Sequence, residues 1–145
     1  MSRANHHSTN INSLSWLTKG EILLLRIETP LGADTVIYDQ MIMDQLDETS
    51  HPVHVVIKIS DLPLDDSSVE DLAQLRALRH PRLGFVAVVG EAPSPMINLL
   101  GAMMSGLKGG NFKMFVQLDD AVKYLNRAKM KYLTVASQFN DSYAR

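Results

Sequence analysis

The residues best suited to chemistry are two adjacent serines, Ser67 and Ser68, at the predicted start of a helix. A phosphoryl group on either serine would place a dianion at the positive end of the helix dipole and change a binding surface. The same spacing fits a simpler use, because Ser67 with Glu70, or Ser68 with Asp71, forms a capping-box pair that satisfies free amides. The sequence favours the cap and leaves a phosphoacceptor as the alternative.

Three carboxylates lie just before these serines, on Asp61, Asp65 and Asp66. A calcium loop would need further oxygen ligands at fixed spacing and a closing glutamate, and that pattern is missing. The histidines do not show H-E-x-x-H or another zinc-ligand spacing; they are His6, His7, His51, His54 and His80. We therefore expect a solvated acidic turn, no metal and no cofactor.

Sequence motifs of known catalytic sites are missing. There is no G-x-S-x-G, no P-loop, and no G-x-G-x-x-G after a strand. The run Gly106-Leu107-Lys108-Gly109-Gly110 suggests a phosphate loop, but it ends a helix, whereas anions bind at helix N-termini. We therefore expect no catalytic residues and predict that the protein is not an enzyme.

Composition sets the class of protein. The chain has 145 residues, 46 % hydrophobic and 21 % charged, which suits one globular domain. A net charge of −2 argues against binding nucleic acid, and the chain has no cysteine for disulfides or thiolate sites. With no predicted signal peptide or membrane span, we expect a cytoplasmic protein. The predicted organisation is a disordered arm at 1–10, a domain at 11–130 and a tail at 131–145.

Hydrophobic periodicity predicts the order β-β-α-β-α-β-α-β-α. The strands are expected at Leu14–Leu17, Glu21–Ile27, Val53–Ile59, Gly84–Gly90 and Phe112–Val116, and the helices at Thr35–Asp47, Ser68–Arg79, Pro95–Leu107 and Asp119–Ala128. This order predicts the α/β fold class, with a mixed, mainly parallel five-stranded sheet and four helices. In the first helix the predicted core stripe is Ile37, Tyr38, Met41, Ile42 and Leu46, with Asp39 outside it.

The third helix has more apolar residues than one buried stripe requires. Met96, Leu99, Leu100, Met103 and Leu107 already form a stripe at helical spacing. Ile97 and Met104 lie one residue further round, beside the small residues Gly101 and Ser105. These four residues are predicted to form an interaction surface, because small residues permit close approach and methionine adapts to irregular surfaces. A wide buried stripe covered by the C-terminal tail is the open alternative.

Several segments together resemble the STAS superfamily, which includes the anti-sigma-factor antagonists and a looser group related to lipid-binding domains. The segments are a hairpin leading into a helix (14–46), a strand ending in Asp61 and followed by Asp66-Ser67-Ser68, the run His80-Pro81-Arg82-Leu83-Gly84-Phe85-Val86-Ala87-Val88-Val89-Gly90, and the closing run from Phe112 to Leu125. The likeness covers roughly residues 13–128. Val69 stands where the phosphorylated antagonists have glycine.

The resemblance implies a non-catalytic regulatory module of signalling that binds another protein. We expect it to act through the helix at 67–78 and the helix at 95–107, and to form a homodimer. The alternative, which the lipid-domain relatives imply, is a domain that binds a small apolar ligand or lipid between the third helix and the sheet.

Overall fold

The structure is a computed structural model that describes residues 12–59, 66–90, 95–108 and 111–128. Within these ranges the side chains of 66–68, 95–97 and 107–108 are not described. The predicted arm at 1–10 and the predicted tail at 131–145 lie outside the described residues.

The secondary structure follows the predicted order. The strands are β1 (Ser13–Thr18), β2 (Ile22–Ile27), β3 (Val53–Ile59), β4 (Leu83–Gly90) and β5 (Phe112–Phe115). The α-helices are α1 (Thr35–Asp47), α2 (Asp66–Ala73), α3 (Pro95–Lys108) and α4 (118–128), with short 3-10 helices at Gly32–Asp34 and Arg76–Arg79.

The five strands form one sheet in which neighbours in the chain are also neighbours in space, in the order β1-β2-β3-β4-β5. The first pair is antiparallel and the other three pairs are parallel. The turn between β1 and β2 contains Gly20 at φ +76°, a left-handed conformation that glycine adopts without steric cost. The predicted α/β class with a mixed, mainly parallel sheet is confirmed.

The order of the parallel strands decides where the helices lie. From β2 onward, each strand-helix-strand connection leads to the next strand on the same side of the sheet. Because such connections are right-handed, α1, α2 and α3 all lie on one face. The main core lies between these helices and that face; it includes Leu23, Leu25, Val55, Ile57, Val86 and Val88 from the strands. Among the described strands the order never reverses, so the sheet lacks the switch point at which such folds usually bind ligands.

The opposite face of the sheet is packed by α4. A smaller core forms there, from Ile22, Leu24, Val56, Ala87, Val89, Ala121 and Leu125. Beside it, the Tyr124 ring lies between Phe85 and Phe115, with centroid distances of 6.0 Å and 5.3 Å. The Lys113 ammonium lies 5.2 Å from the centroid of the Tyr124 ring. These partly buried rings extend the packing of α4 to the edge strand β5.

One predicted element is wrong. A single helix was expected from Ser68 to Arg79, but α2 ends at Ala73 and Leu75 is extended, with ψ 128°. A separate 3-10 helix follows at Arg76–Arg79. The reason is a tertiary contact, because the Asp39 carboxylate of α1 accepts the first amides of this 3-10 helix and fixes a second helix start there.

Polar contacts at three levels along its length hold α1 against its neighbours. Near its start, the Tyr38 hydroxyl donates to the Asn12 carbonyl at 2.9 Å. In its middle, Asp39 is buried and binds the Arg76–Arg79 segment. At its end, Asp47 Oδ1 lies 2.7 Å from His80 Nε2. With Ile42 and Leu46 in the core, these contacts fix the rotation of α1 about its axis.

The Tyr38 contact leads to a prediction about alkaline pH. Burial, and then the nearby Asp34 carboxylate, raise the pKa of Tyr38 above its ordinary value. The folded protein therefore holds this proton more tightly than the unfolded chain does. Stability from the neutral phenol is fully present below about pH 10 and falls as pH rises through the folded-state pKa.

We expect Tyr38→Phe to cost about 1 kcal/mol at neutral pH, because the hydrogen bond to Asn12 is lost. The difference from the wild type should shrink above about pH 10, where the wild type loses its advantage. Urea unfolding of both proteins across this pH range measures the two effects. A difference that stays constant with pH would contradict the raised pKa.

Candidate functional site

The two predicted phosphoacceptor serines lie in the first turn of α2. The helix begins at Asp66, so Ser67 and Ser68 lie within its first turn. The side chains of both serines lie outside the described residues, as do Asp61 and Asp65, so phosphorylation stays a prediction. A capping box depends on a serine hydroxyl, so the cap also stays a prediction.

The predicted interaction surface on α3 is wrong for two of its residues. Met104 is fully buried in the core, and Gly101 is buried beside Met114 of β5, whose Sδ would lie 3.2 Å from an added Cβ. Ser105 is exposed, and the Ile97 side chain lies outside the described residues. The buried face of α3 includes Leu100 and Met104, whereas Leu99, expected in the stripe, is 41 % exposed.

The rotation of α3 about its axis explains why Met104 and Gly101 are buried. An apolar pattern on both sides of a helix does not determine its rotation, and packing against α2 and β5 decides which residues face inward. The small residue Gly101 accommodates a strand of the same chain, and not a second molecule.

One pair in the described chain has the composition of a catalytic dyad, Asp47 with His80. A general base needs one free ring nitrogen, while the carboxylate orients the other. His80 Nδ1 already accepts the Arg82 backbone N–H at 3.0 Å, so Nε2 donates to Asp47 at 2.7 Å. The ring is 5 % exposed, and both nitrogens have structural partners. This dyad therefore positions the end of α1 against the turn that leads into β4.

His54 has a similar structural role. It is buried in β3, and its Nδ1 accepts the Phe85 backbone N–H at 2.9 Å. The ring lies against Gly84, so closely that an added Cβ would meet Cε1 at 2.7 Å. Among the described residues, no three side chains of the His, Cys, Asp and Glu types are grouped so that they could hold a metal ion.

The feature of the described surface that does suggest a function is the outer face of α1. Val36, Ile37 and Met41 are 71 %, 56 % and 40 % exposed, although large apolar side chains gain free energy by burial. Ile37 and Met41 were expected in the core stripe, and this expectation is wrong. The helix is rotated so that Asp39 faces inward, which turns these two side chains outward.

The outer face of α1 changes character along the helix. Its first two turns present Val36, Ile37 and Met41, preceded by the exposed Ala33. Its last turn carries Asp44 and Asp47, followed by Glu48, and contains no basic residue. We call this strip, residues 36, 37, 41, 44 and 48, the outer α1 face. The face is apolar at one end and acidic at the other.

The sequence does contain a signal for this surface. Val36 and Ile37 directly precede Tyr38, and Met41 directly precedes Ile42, so apolar residues occur in runs too wide for one buried stripe. The run alone does not show which edge of it is exposed. That depends on Asp39, whose partners lie 37 and 38 residues away in the chain.

Comparison with known proteins adds no further assignment. No family model matches the chain, and neither the curated proteins nor the solved structures give a match. Of the helices that the structure describes, none is long and apolar enough to cross a membrane. The resemblance to the STAS superfamily stays a prediction from the sequence.

Proposed function

We propose that this chain is a non-catalytic regulatory module of the cytoplasm that works by binding a protein partner, and that the outer α1 face is its binding surface. The observation that supports the proposal is the exposure of three large apolar side chains in the first two turns of α1, Val36, Ile37 and Met41. Contiguous exposed apolar groups on a folded surface are typical of interaction sites.

The way α1 is held also favours binding. The contacts through Tyr38, Asp39 and Asp47 keep the helix fixed, so little conformational entropy is lost when a partner docks. In contrast, the two buried histidine rings, His54 and His80, each accept a backbone N–H at Nδ1. Their positions serve the fold, in keeping with a non-catalytic role.

The alternative function, binding of a small apolar ligand or lipid between α3 and the sheet, has less support. Leu100 and Met104 pack directly on the main core, and Met114 fills the space beside Gly101. In the part of the chain that the structure describes, every buried side-chain nitrogen and oxygen has a hydrogen-bond partner, so none marks a ligand. We therefore favour the protein surface.

A site-specific cross-link tests the proposal. A photo-reactive benzoylphenylalanine replaces Ile37 in cells that make the protein, and light then joins it to whatever lies within a few ångströms. We expect one defined protein adduct, because the side chain at this position would lie within the interface. The matched control places the same residue at Asn126, which is exposed on α4.

Adducts of the same pattern at Ile37 and Asn126, or no adduct at Ile37, would refute the outer α1 face as a binding surface. The charge-neutral variant Ile37→Asn completes the test. When benzoylphenylalanine is placed at Val36 instead, Ile37→Asn should abolish its adduct. The melting temperature should stay within about 2 °C of the wild-type value, because exposed positions contribute little to stability.

A further inference from the structure

We infer that the partner of the outer α1 face presents a basic amphipathic helix, whose apolar side chains cover Ile37 and Met41 and whose Lys or Arg side chains meet Asp44 and Glu48. This inference rests on the proposed function and specifies its partner by chemistry. It follows from the distribution of charge along α1.

The acidic end of α1 is electrostatically unfavourable within the chain itself. The C-terminus of a helix carries partial negative charge, so carboxylates there are repelled and cations are preferred. Yet the last turn of α1 holds Asp44 and Asp47 with no basic residue. Asp44 accepts from the Gln40 amide, and Asp47 lies 2.7 Å from His80 Nε2. The Arg76 guanidinium binds Asp39 and the Gln40 oxygen. A partner's cations would supply the missing positive charge.

The spacing fixes the geometry of such a partner. Ile37, Met41, Asp44 and Glu48 follow one another at intervals of four, three and four residues, which places them in one row along the helix. From Ile37 to Asp44 the row advances about 10 Å at 1.5 Å per residue. A helix lying along this row would therefore need an apolar anchor and, about two turns away, one or two cations.

Two other occupants fit less well. If two copies of this chain paired in parallel through this face, Asp44 and Glu48 of one would meet the same carboxylates of the other. If they paired antiparallel, Asp44 and Glu48 would meet the apolar turn and Asp34. Like charges or an unpaired buried carboxylate then oppose the pairing. An anionic membrane surface would be repelled by the same carboxylates. A basic helix satisfies both halves of the face.

Binding of two model helices to the full chain tests the inference. Both are labelled peptides with the same leucine face, and they differ only in their polar positions, which are lysine in one and glutamate in the other. By fluorescence anisotropy at low salt, we expect the lysine helix to bind about tenfold more tightly, and added salt to remove most of that difference.

Variants locate the site. Ile37→Asn should weaken the lysine helix by about tenfold through the apolar contact, and Asp44→Asn with Glu48→Gln by a similar factor through charge. The matched control, Asp119→Asn with Asp120→Asn, removes the same charge from exposed residues on α4 and should leave binding unchanged. A lysine helix with an alanine face should not bind.

Equal binding of the lysine and glutamate helices, no binding of the lysine helix, or an equal loss in the α4 control would overturn the inference. So would sedimentation showing that the wild type dimerises and that Ile37→Asn does not. The proposed function is tested separately by the cross-link at Ile37, which detects a partner of any charge. A cross-linked partner whose contact segment is acidic would leave that function standing and refute the basic helix.

Discussion

Gly84→Ala is expected to destabilise the protein by about 3 kcal/mol, although it adds only one methyl group. The new Cβ would lie 2.7 Å from Cε1 of the His54 ring, and closer still to Nδ1. The ring cannot move away cheaply, because it is buried and its Nδ1 accepts the Phe85 N–H of the neighbouring strand. Either β4 shifts or this hydrogen bond breaks. Urea unfolding monitored by circular dichroism measures the loss.

A double-mutant cycle shows whether the His54 ring is the cause. His54→Ala alone should cost about 2 kcal/mol, because it leaves a cavity and a buried Phe85 N–H without its acceptor. In the double variant the clash is gone, so the combined cost should be about 2 kcal/mol less than the sum of the two single costs. Additive costs would mean that the ring is not what excludes a side chain at Gly84.

Gly106→Ala is the matched control for the same added methyl. Gly106 is exposed in α3, and an added Cβ would meet nothing within 4 Å. Alanine there should stabilise the protein by about 0.5–1 kcal/mol, because glycine loses more backbone entropy on helix formation. The two substitutions should therefore change stability in opposite directions.

Most of the fold could be predicted from the sequence because its signals are local. The β-branched run Val53–Ile59 and the buried run Leu83–Gly90 are strands in the structure, and α1 has the predicted bounds Thr35–Asp47. Alternating strands and helices with short connections leave few topologies once right-handed crossovers are required. The strand order β1-β2-β3-β4-β5 is known only from the structure, because right-handed crossovers are equally compatible with orders that reverse direction.

The surfaces could not be predicted in the same way, because they depend on how each helix is rotated. In α1 and in α3 the apolar residues are too numerous for one stripe, so several rotations bury a comparable amount of apolar area. Long-range polar contacts and neighbouring side chains choose among them. In α1 the choice is made by Asp39, and in α3 Met104 is turned inward while Leu99 is left exposed. The sequence suggested a surface on α3, whereas the structure exposes one on α1.

Asp39→Asn is the second change for which we expect a large effect, a loss of about 3 kcal/mol. Asp39 Oδ1 accepts the Ala77 amide at 3.0 Å, and Oδ2 accepts both the amide and Nε of Arg76, at 3.1 Å and 2.9 Å. Asparagine has one oxygen, so its NH2 group must face a donor, and at least one buried amide is left without an acceptor. Faster hydrogen exchange at the Ala77 amide should accompany the loss.

The variant Arg76→Ala distinguishes the two roles of Asp39. One role is to cap the Arg76–Arg79 helix by accepting its first amides, and the other is the ion pair with the Arg76 guanidinium. The Arg76 side chain is 58 % exposed, so its removal should cost less than about 1 kcal/mol, while both backbone amides keep their carboxylate. Asp44→Asn, which removes an exposed carboxylate from the same helix, should change stability by less than about 0.5 kcal/mol. If Arg76→Ala cost as much as Asp39→Asn, the ion pair would be the main contribution. If the cap dominates, Asp39→Asn should also weaken the lysine helix, because the rotation that exposes Ile37 and Met41 depends on that carboxylate.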